Sequence, residues 1–146
     1  MRPENGRTYT MTSMSSGKAA DVRDASTADG AAVIQYTPGD AANQKWRLTD
    51  TGSGTFTLTA AHSGKCLEVP AGSTGTEGAG IRQWGCSTGT HQQWRFEPAG
   101  PDVYRLVSAG GTCLDVPGSS NADGVQLIQW TCGTAANQKW RLALAE

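Results

Sequence analysis

Apolar and polar residues alternate in short runs along this chain, and the runs recur. Within residues 7–16, Tyr9 and Met11 alternate with threonines, the period-two pattern of a half-buried strand. Thr55-Phe56-Thr57-Leu58-Thr59 and Val103-Tyr104-Arg105-Leu106-Val107 repeat the pattern. A short strand ending Asp-Val or Glu-Val follows each. Next comes a turn, Ala28-Asp29-Gly30, Thr76-Glu77-Gly78 or Ala122-Asp123-Gly124; Asp-Gly is a strong turn signal. A third strand is expected at 33–36, 80–84 and 127–130. A loop then leads to a closing strand that carries Trp46, Trp94 or Trp140. No segment has helical periodicity.

The repetition has a fixed length. Units open at Gly17-Lys18-Ala19-Ala20-Asp21-Val22, Gly64-Lys65-Cys66-Leu67-Glu68-Val69 and Gly111-Thr112-Cys113-Leu114-Asp115-Val116, so the spacing is 64 − 17 = 47 and 111 − 64 = 47. They close at Gln44-Lys45-Trp46, Gln92-Gln93-Trp94 and Gln138-Lys139-Trp140, with tryptophans 94 − 46 = 48 and 140 − 94 = 46 apart. A unit of this size has too little apolar content to fold alone, so the three are read as one domain, 1–146, with repeats at about 5–50, 51–98 and 99–146. Four strands in each unit predict an all-β fold of twelve strands about a pseudo-threefold axis, a β-trefoil. The segments around 50–54 and 98–101 are expected to be turns within that body.

Composition narrows the partners. The net charge is −1, and no basic patch suits nucleic acid or an anionic membrane. No apolar run approaches the length of a membrane span. Residues 1–6 lack the apolar stretch of a signal peptide, which leaves a cytosolic protein or one whose leader, with or without a larger partner domain, has been removed. The cysteines favour the second. They stand at 66, 86, 113 and 132, with separations 86 − 66 = 20 and 132 − 113 = 19. The matching positions of repeat one, Ala19 and Pro38, lack cysteine together, as pairing within repeats requires. Disulfides Cys66–Cys86 and Cys113–Cys132, and a secreted, extracellular protein, are therefore expected. A zinc site is the rival reading; it is poor, because no two cysteines are close in sequence and His62 and His91 form no repeating set with them. No metal or cofactor is expected.

Pairing each cysteine directly opposite its partner gives a register. Glu68 then lies opposite Trp84, Asp115 opposite Trp130 and Asp21 opposite Tyr36, each carboxylate roughly 5 Å from an aromatic ring on one face. Leu67, Val69, Leu114 and Val116 point to the core. Gln35, Gln83 and Gln129 face away from the rings and are read as structural. The same parity puts Ile34 and Ile128 on the pocket face unless a bulge shifts the alternation. A carboxylate beside a ring suits a sugar: the C–H face of a pyranose packs on the ring, for about 0.5–1.5 kcal/mol beyond area burial. Its hydroxyls donate to the carboxylate, for about 1.5–3 kcal/mol. Asn43 and Gln44, His91 and Gln92, and Asn137 and Gln138 can close the same pockets. Trp46, Trp94 and Trp140 are expected in the core, His62 and His91 at the surface.

The threefold Gln-x-Trp, with a carboxylate and an aromatic upstream of each copy, resembles the ricin B-type lectin domains, and among them family 13 carbohydrate-binding modules, over about residues 7–142. The resemblance implies a β-trefoil with up to one shallow sugar pocket per repeat, often for galactose- or xylose-type sugars. It carries the sugar-binding carboxylate to Asp21, Glu68 and Asp115, and the stacking ring to Tyr36, Trp84 and Trp130. It carries the amide pair to Asn43 and Gln44 and to Asn137 and Gln138. Repeat two departs with Glu68 for Asp and His91 for Asn, so the sites rank third, first, second, and the second can be silent. The implied function is non-catalytic binding of carbohydrate, with galactose- or arabinose-bearing polymers as the first expectation. The module would be a monomer that targets a covalently linked glycoside hydrolase. Catalysis by this chain is disfavoured, because glycoside hydrolysis usually needs two carboxylates across one bond and each pocket offers one; Asp24, beside Asp21, has no counterpart. A protein-interaction trefoil with vestigial pockets, and the glycan-binding subunit of a toxin or adhesin, remain as alternatives.

Overall fold

The computed structural model describes residues 2–146 and is all-β apart from one-turn 3-10 helices. Repeat one supplies β1 (Thr8–Ser13), β2 (Ala19–Val22), β3 (Val33–Tyr36) and β4 (Trp46–Asp50). Repeat two supplies β5 (Phe56–Ala60), β6 (Cys66–Glu68), β7 (Arg82–Trp84) and β8 (Trp94–Gly100). Repeat three supplies β9 (Val103–Ser108), β10 (Thr112–Asp115), β11 (Ile128–Thr131) and β12 (Trp140–Leu144). Of the segment around 98–101, read as a turn, residues 98–100 continue β8, which pairs with β9 through a register shift between Pro98 and Gly100, and the chain turns at 101–102.

Strands β1, β4, β5, β8, β9 and β12 pair antiparallel in a closed ring. Closure leaves no barrel edge open to pairing with another chain. The hairpins β2–β3, β6–β7 and β10–β11 cap one end of this barrel. At the axis the hairpins meet in a cycle of backbone bonds: Val33 N–H donates to Ile81 O at 3.0 Å, Ile81 to Leu127 O at 2.8 Å, and Leu127 to Val33 O at 2.9 Å. This is the β-trefoil predicted from the repeats.

Alternation decides what each strand buries. Tyr9, Met11 and Ser13 of β1 face inward. Trp46, Trp94 and Trp140 are fully buried. A buried indole N–H needs an acceptor, and each finds a backbone carbonyl of its own repeat: Ala20 at 3.1 Å, Leu67 at 3.0 Å and Leu114 at 3.1 Å. The closing tryptophan thereby ties the capping hairpin to the barrel.

Gln35, Gln83 and Gln129 are structural, as expected, and they join the repeats. Each is completely buried, where unpaired amide groups would be costly. The Gln35 side chain donates to Ser120 O and Ala122 O, Gln83 to Ser26 O and Ala28 O, and Gln129 to Ser73 O and Thr76 O. Each amide oxygen accepts a hydroxyl of its own repeat: Ser16, Ser63 and Thr112. Every repeat thus grips the long loop of the preceding one, repeat one gripping repeat three. Both disulfides are formed, Cys66–Cys86 and Cys113–Cys132, each with Cα atoms 5.1 Å apart.

Candidate functional site

The capping hairpins carry the three predicted carboxylates, all buried: Asp21 on β2, Glu68 on β6 and Asp115 on β10. They carry the three predicted rings at the ends of β3, β7 and β11, all exposed: Tyr36 46%, Trp84 41% and Trp130 44%.

The register within each hairpin differs by two residues from the one expected. Cys66 pairs with Trp84 and Cys113 with Trp130, so the partners of the carboxylates are Ile34 for Asp21, Arg82 for Glu68 and Ile128 for Asp115. The reason is that Cys86 and Cys132 lie beyond the ends of β7 and β11. The disulfides close from outside the ladder and do not mark facing positions. A shift of two preserves the face, so carboxylate and ring still share a side, set diagonally. Ile34 and Ile128 are on that side too, without any bulge. Position 82 is a site residue that the expected register concealed, although an Arg aligned with Ile34 and Ile128 was its signal.

The one-turn helices Ala42–Gln44, Thr90–Gln92 and Ala136–Gln138 deliver the polar partners. Gln44 donates to Asp21 Oδ2 at 2.8 Å and to Thr37 O at 3.1 Å, and accepts from Gly39 N–H at 2.8 Å. Gln138 repeats this with Asp115 Oδ2, Thr131 O and Gly133 N–H at 2.9, 2.9 and 2.8 Å. Gln92 repeats it with Glu68 Oε1, Gly85 O and Ser87 N–H at 2.9, 3.0 and 2.8 Å. Both amide hydrogens of each glutamine are committed inward, so it positions the carboxylate and offers no donor to a ligand. Asn43 and Asn137 anchor on Val22 O at 3.0 Å and Val116 O at 3.1 Å. Both line their pockets.

The rims are shared between repeats. Gly30 and Gly78 have φ of 87° and 84°, and a Cβ at either would come within 3.5 Å of Trp84 or 3.7 Å of Trp130. Only glycine adopts that backbone without strain, so the preceding repeat's turn can lie flat along the ring edge. Asp29 and Asp123 accept from Gly85 N–H and Thr37 N–H, both at 2.8 Å, and Glu77 accepts from the Thr131 hydroxyl.

The three pockets are not alike. In repeat three, Asp115, Ile128, Trp130 and Asn137 line an open concavity with Pro117 and Gly118 as its far wall. In repeat one, Asp21, Ile34, Tyr36 and Asn43 line the equivalent space, and Asp24 stands on the wall where repeat three has Gly118. Asp24 holds a left-handed backbone, φ 56°, at the place where Gly118 has φ 63°. In repeat two, Arg82 Nε donates to Glu68 Oε2 at 2.7 Å and its Cζ lies 4.6 Å from the Trp84 ring centroid. His91 Nε2 stands 3.3 Å from Glu68 Oε1.

Burial pushes the Asp115 carboxyl above its ordinary range, against the bonds from Gln138 and Asn137. Burial is also the main cause for Asp21, which is raised too; Gln44 opposes it, Asp24 adds to it, and His62 and Asn43 oppose it. His62 is not the free surface residue expected: Nε2 meets Ser26 O at 2.7 Å, and Nδ1 is buried without a partner among the described residues. Among the described residues no group of three His, Cys, Asp or Glu side chains is placed to hold a metal ion, and no helix is long and apolar enough to cross a membrane.

The fold is that of an R-type lectin domain. The sequence matches the family described as ricin-type beta-trefoil lectin domain-like over residues 1–84 and 90–146, and the chain belongs to that family. Its structure is similar to the designed threefold-symmetric protein ThreeFoil, with 45% identity and a TM-score of 0.90 over 93% of this chain and 97% of that one. It is similar to part of an exo-beta-1,3-galactanase from Clostridium thermocellum, with 31% identity and a TM-score of 0.90; the match covers 99% of this chain and 31% of the galactanase. A Macrolepiota procera ricin B-like lectin, solved with lactose, shares the fold at 22% identity and a TM-score of 0.85, with 99% of each chain covered.

Proposed function

We propose that this protein is a non-catalytic carbohydrate-binding module whose working pockets are those of repeats three and one. The observation that carries the reading is that Asp115 and Trp130 line one open pocket. A carboxylate fixed by a buried glutamine lies beside an exposed indole, with an apolar side chain, Ile128, between them on one face. A pyranose can stack its C–H face on the indole while adjacent hydroxyls donate to Asp115. Asp21 and Tyr36 repeat the arrangement.

Galactose- or arabinose-type sugars are the preferred ligands on this reading. It is supported by the lactose bound by the Macrolepiota procera lectin and by the galactanase that carries a similar unit. The same galactanase supports a role in holding a linked glycoside hydrolase on its substrate. The two disulfides support secretion. The module is proposed to act as a monomer. Each pocket is shallow, so affinity for a polymer would come from two sites engaging one chain or surface.

The test is a binding screen against soluble galactans, arabinans, xylans and simple sugars, with an Asp21→Asn/Asp115→Asn variant alongside. Loss of one hydrogen bond to a charged group at each site is expected to weaken binding by about 10- to 150-fold. Equal binding by both proteins, or by neither while both are folded, removes the proposal.

A further inference from the structure

Arg82 stands where repeats one and three place Ile34 and Ile128 on the pocket face. Its guanidinium makes both of the contacts assigned to a sugar in the other repeats. It lies against one face of the Trp84 ring, with Cζ 4.6 Å from the centroid, as cations do on an indole face. Its Nε donates to Glu68 Oε2 at 2.7 Å, a short charge-assisted bond. The other carboxylate oxygen, Oε1, receives Gln92 at 2.9 Å and is faced by His91 at 3.3 Å. Both carboxylate oxygens, and the ring face against which the guanidinium lies, are therefore taken by protein groups, although the ring as a whole stays 41% exposed. The frame around them is intact: the Cys66–Cys86 disulfide, the Gln92 clamp, the Gln83 latch and the flat Gly30 turn are all in place.

We propose that repeat two is a complete third sugar pocket held shut by Arg82, which acts as its built-in occupant. The proposal rests on the sugar-binding reading above. A tethered side chain competes at the high effective concentration of an intramolecular group, which a weakly bound monosaccharide does not overcome. Glu68, one methylene longer than Asp21 and Asp115, belongs to the closed state, since its reach brings the carboxylate to the guanidinium. The native chain is then a two-site binder, and its third site opens on removal of one side chain.

The decisive protein is Asp21→Asn/Asp115→Asn/Arg82→Ile, in which position 82 carries the residue found at 34 and 128. Asp21→Asn/Asp115→Asn alone is expected to lose binding of galactose- and arabinose-type sugars. Adding Arg82→Ile is expected to restore one ligand per chain, at least tenfold tighter than in the double variant. Titration should then move the Trp84 indole N–H resonance and leave that of Trp130 still. In the otherwise native chain, Arg82→Ile should raise the calorimetric stoichiometry from two to three; this comparison stands even if the triple variant fails to fold. A folded Arg82→Ile protein that still binds two ligands overturns the closure. So does any binding by the double variant, of a neutral or a uronate-bearing saccharide, that shifts Trp84. If the native chain binds no sugar, the sugar-binding reading itself has failed, and that outcome is recognised without the Arg82 variants.

Discussion

The second and third repeats are built on one frame and end in different surfaces. In both, a disulfide with Cα atoms 5.1 Å apart closes the capping hairpin, and a glutamine clamps the carboxylate to the following loop. In both, a buried tryptophan bonds the hairpin's backbone. They diverge at the pocket, where repeat two has Arg82, Glu68 and His91 in the positions that Ile128, Asp115 and Asn137 hold in repeat three. Trp84 carries a guanidinium on one face; Trp130 lines an open concavity. The lesson is that frame and ligand face are separable. The clamping glutamine and the closing tryptophan are buried and hold the hairpin of their own repeat, while Gln83 and Gln129 tie that hairpin to the preceding repeat. Position 82 or 128 lies on the outer face of a short hairpin, and an isoleucine there can become an arginine without touching the barrel.

The largest expected effect tests whether the two frames are in fact equal. Cys66→Ala/Cys86→Ala and Cys113→Ala/Cys132→Ala remove loops of nearly the same length, separations of 20 and 19 residues. Each is expected to lower unfolding free energy by about 3 kcal/mol on the chain-entropy model. Reduction of the native chain should lower its melting temperature by more than either pair alone. Sugar binding should weaken only in the second variant, where the strand end that carries Trp130 loses its tie. Denaturant unfolding and calorimetry on both variants measure this; clearly unequal stability losses would mean that the frames differ.

A smaller effect separates the two carboxylates. Glu68→Gln leaves the Arg82 guanidinium beside the indole without its counter-charge. Breaking such a pair costs about 3–5 kcal/mol when fully buried; the Arg82 side chain is 31% exposed, so solvent screening reduces this to about 1–3 kcal/mol. Its sugar binding should equal that of the native chain. Asp115→Asn should do the reverse, changing stability by less than about 1 kcal/mol while weakening its pocket about 10-fold or more. A Glu68→Gln protein that lost sugar binding would place an open site in repeat two.

The fold was legible because its causes repeat. The period of 47, the alternation in Thr-Tyr-Thr-Met and the threefold Gln-x-Trp each correspond to something the chain buries: an inward strand face, an indole with a backbone acceptor, a glutamine with two. The carboxylates and rings were legible for the same reason. The register was not. Directly facing cysteines would fix it, but Cys86 and Cys132 sit past the strand ends and their disulfides close from there. The error of two residues kept every face correct and hid every partner, so Arg82 passed as a strand residue. The glutamines of the Gln-x-Trp motif looked like ligand groups because local sequence does not show where amide hydrogens point. Asp24 was noticed for lacking a counterpart; that it walls the first pocket follows from its left-handed backbone.

The smallest effect is set by pH, and it has opposite signs for fold and ligand. Burial raises the Asp115 carboxyl above its unfolded value, so the folded chain holds this proton more firmly than the unfolded chain does. Its contribution to stability is therefore fully present below the unfolded value and is lost as pH rises through the folded one. Sugar hydroxyls, in contrast, donate to the ionised form. As pH falls through the raised value, the acceptor is neutralised and affinity should drop, by up to tenfold per pH unit while the free site protonates. Asp21, raised for the same main reason, should behave alike in the first pocket. Mild acid thus stabilises these hairpins slightly while it empties their pockets. Asp115→Asn should abolish the stability part for the third repeat and leave the first pocket's binding profile in place. Calorimetric titrations from neutral pH into the carboxylate range, on the native chain and on Asp115→Asn, measure both parts. Native affinity that stayed flat through that range would show that the sugar does not rest on an ionised carboxylate, and the contrast between an open third pocket and a closed second would have to be drawn from the rings alone.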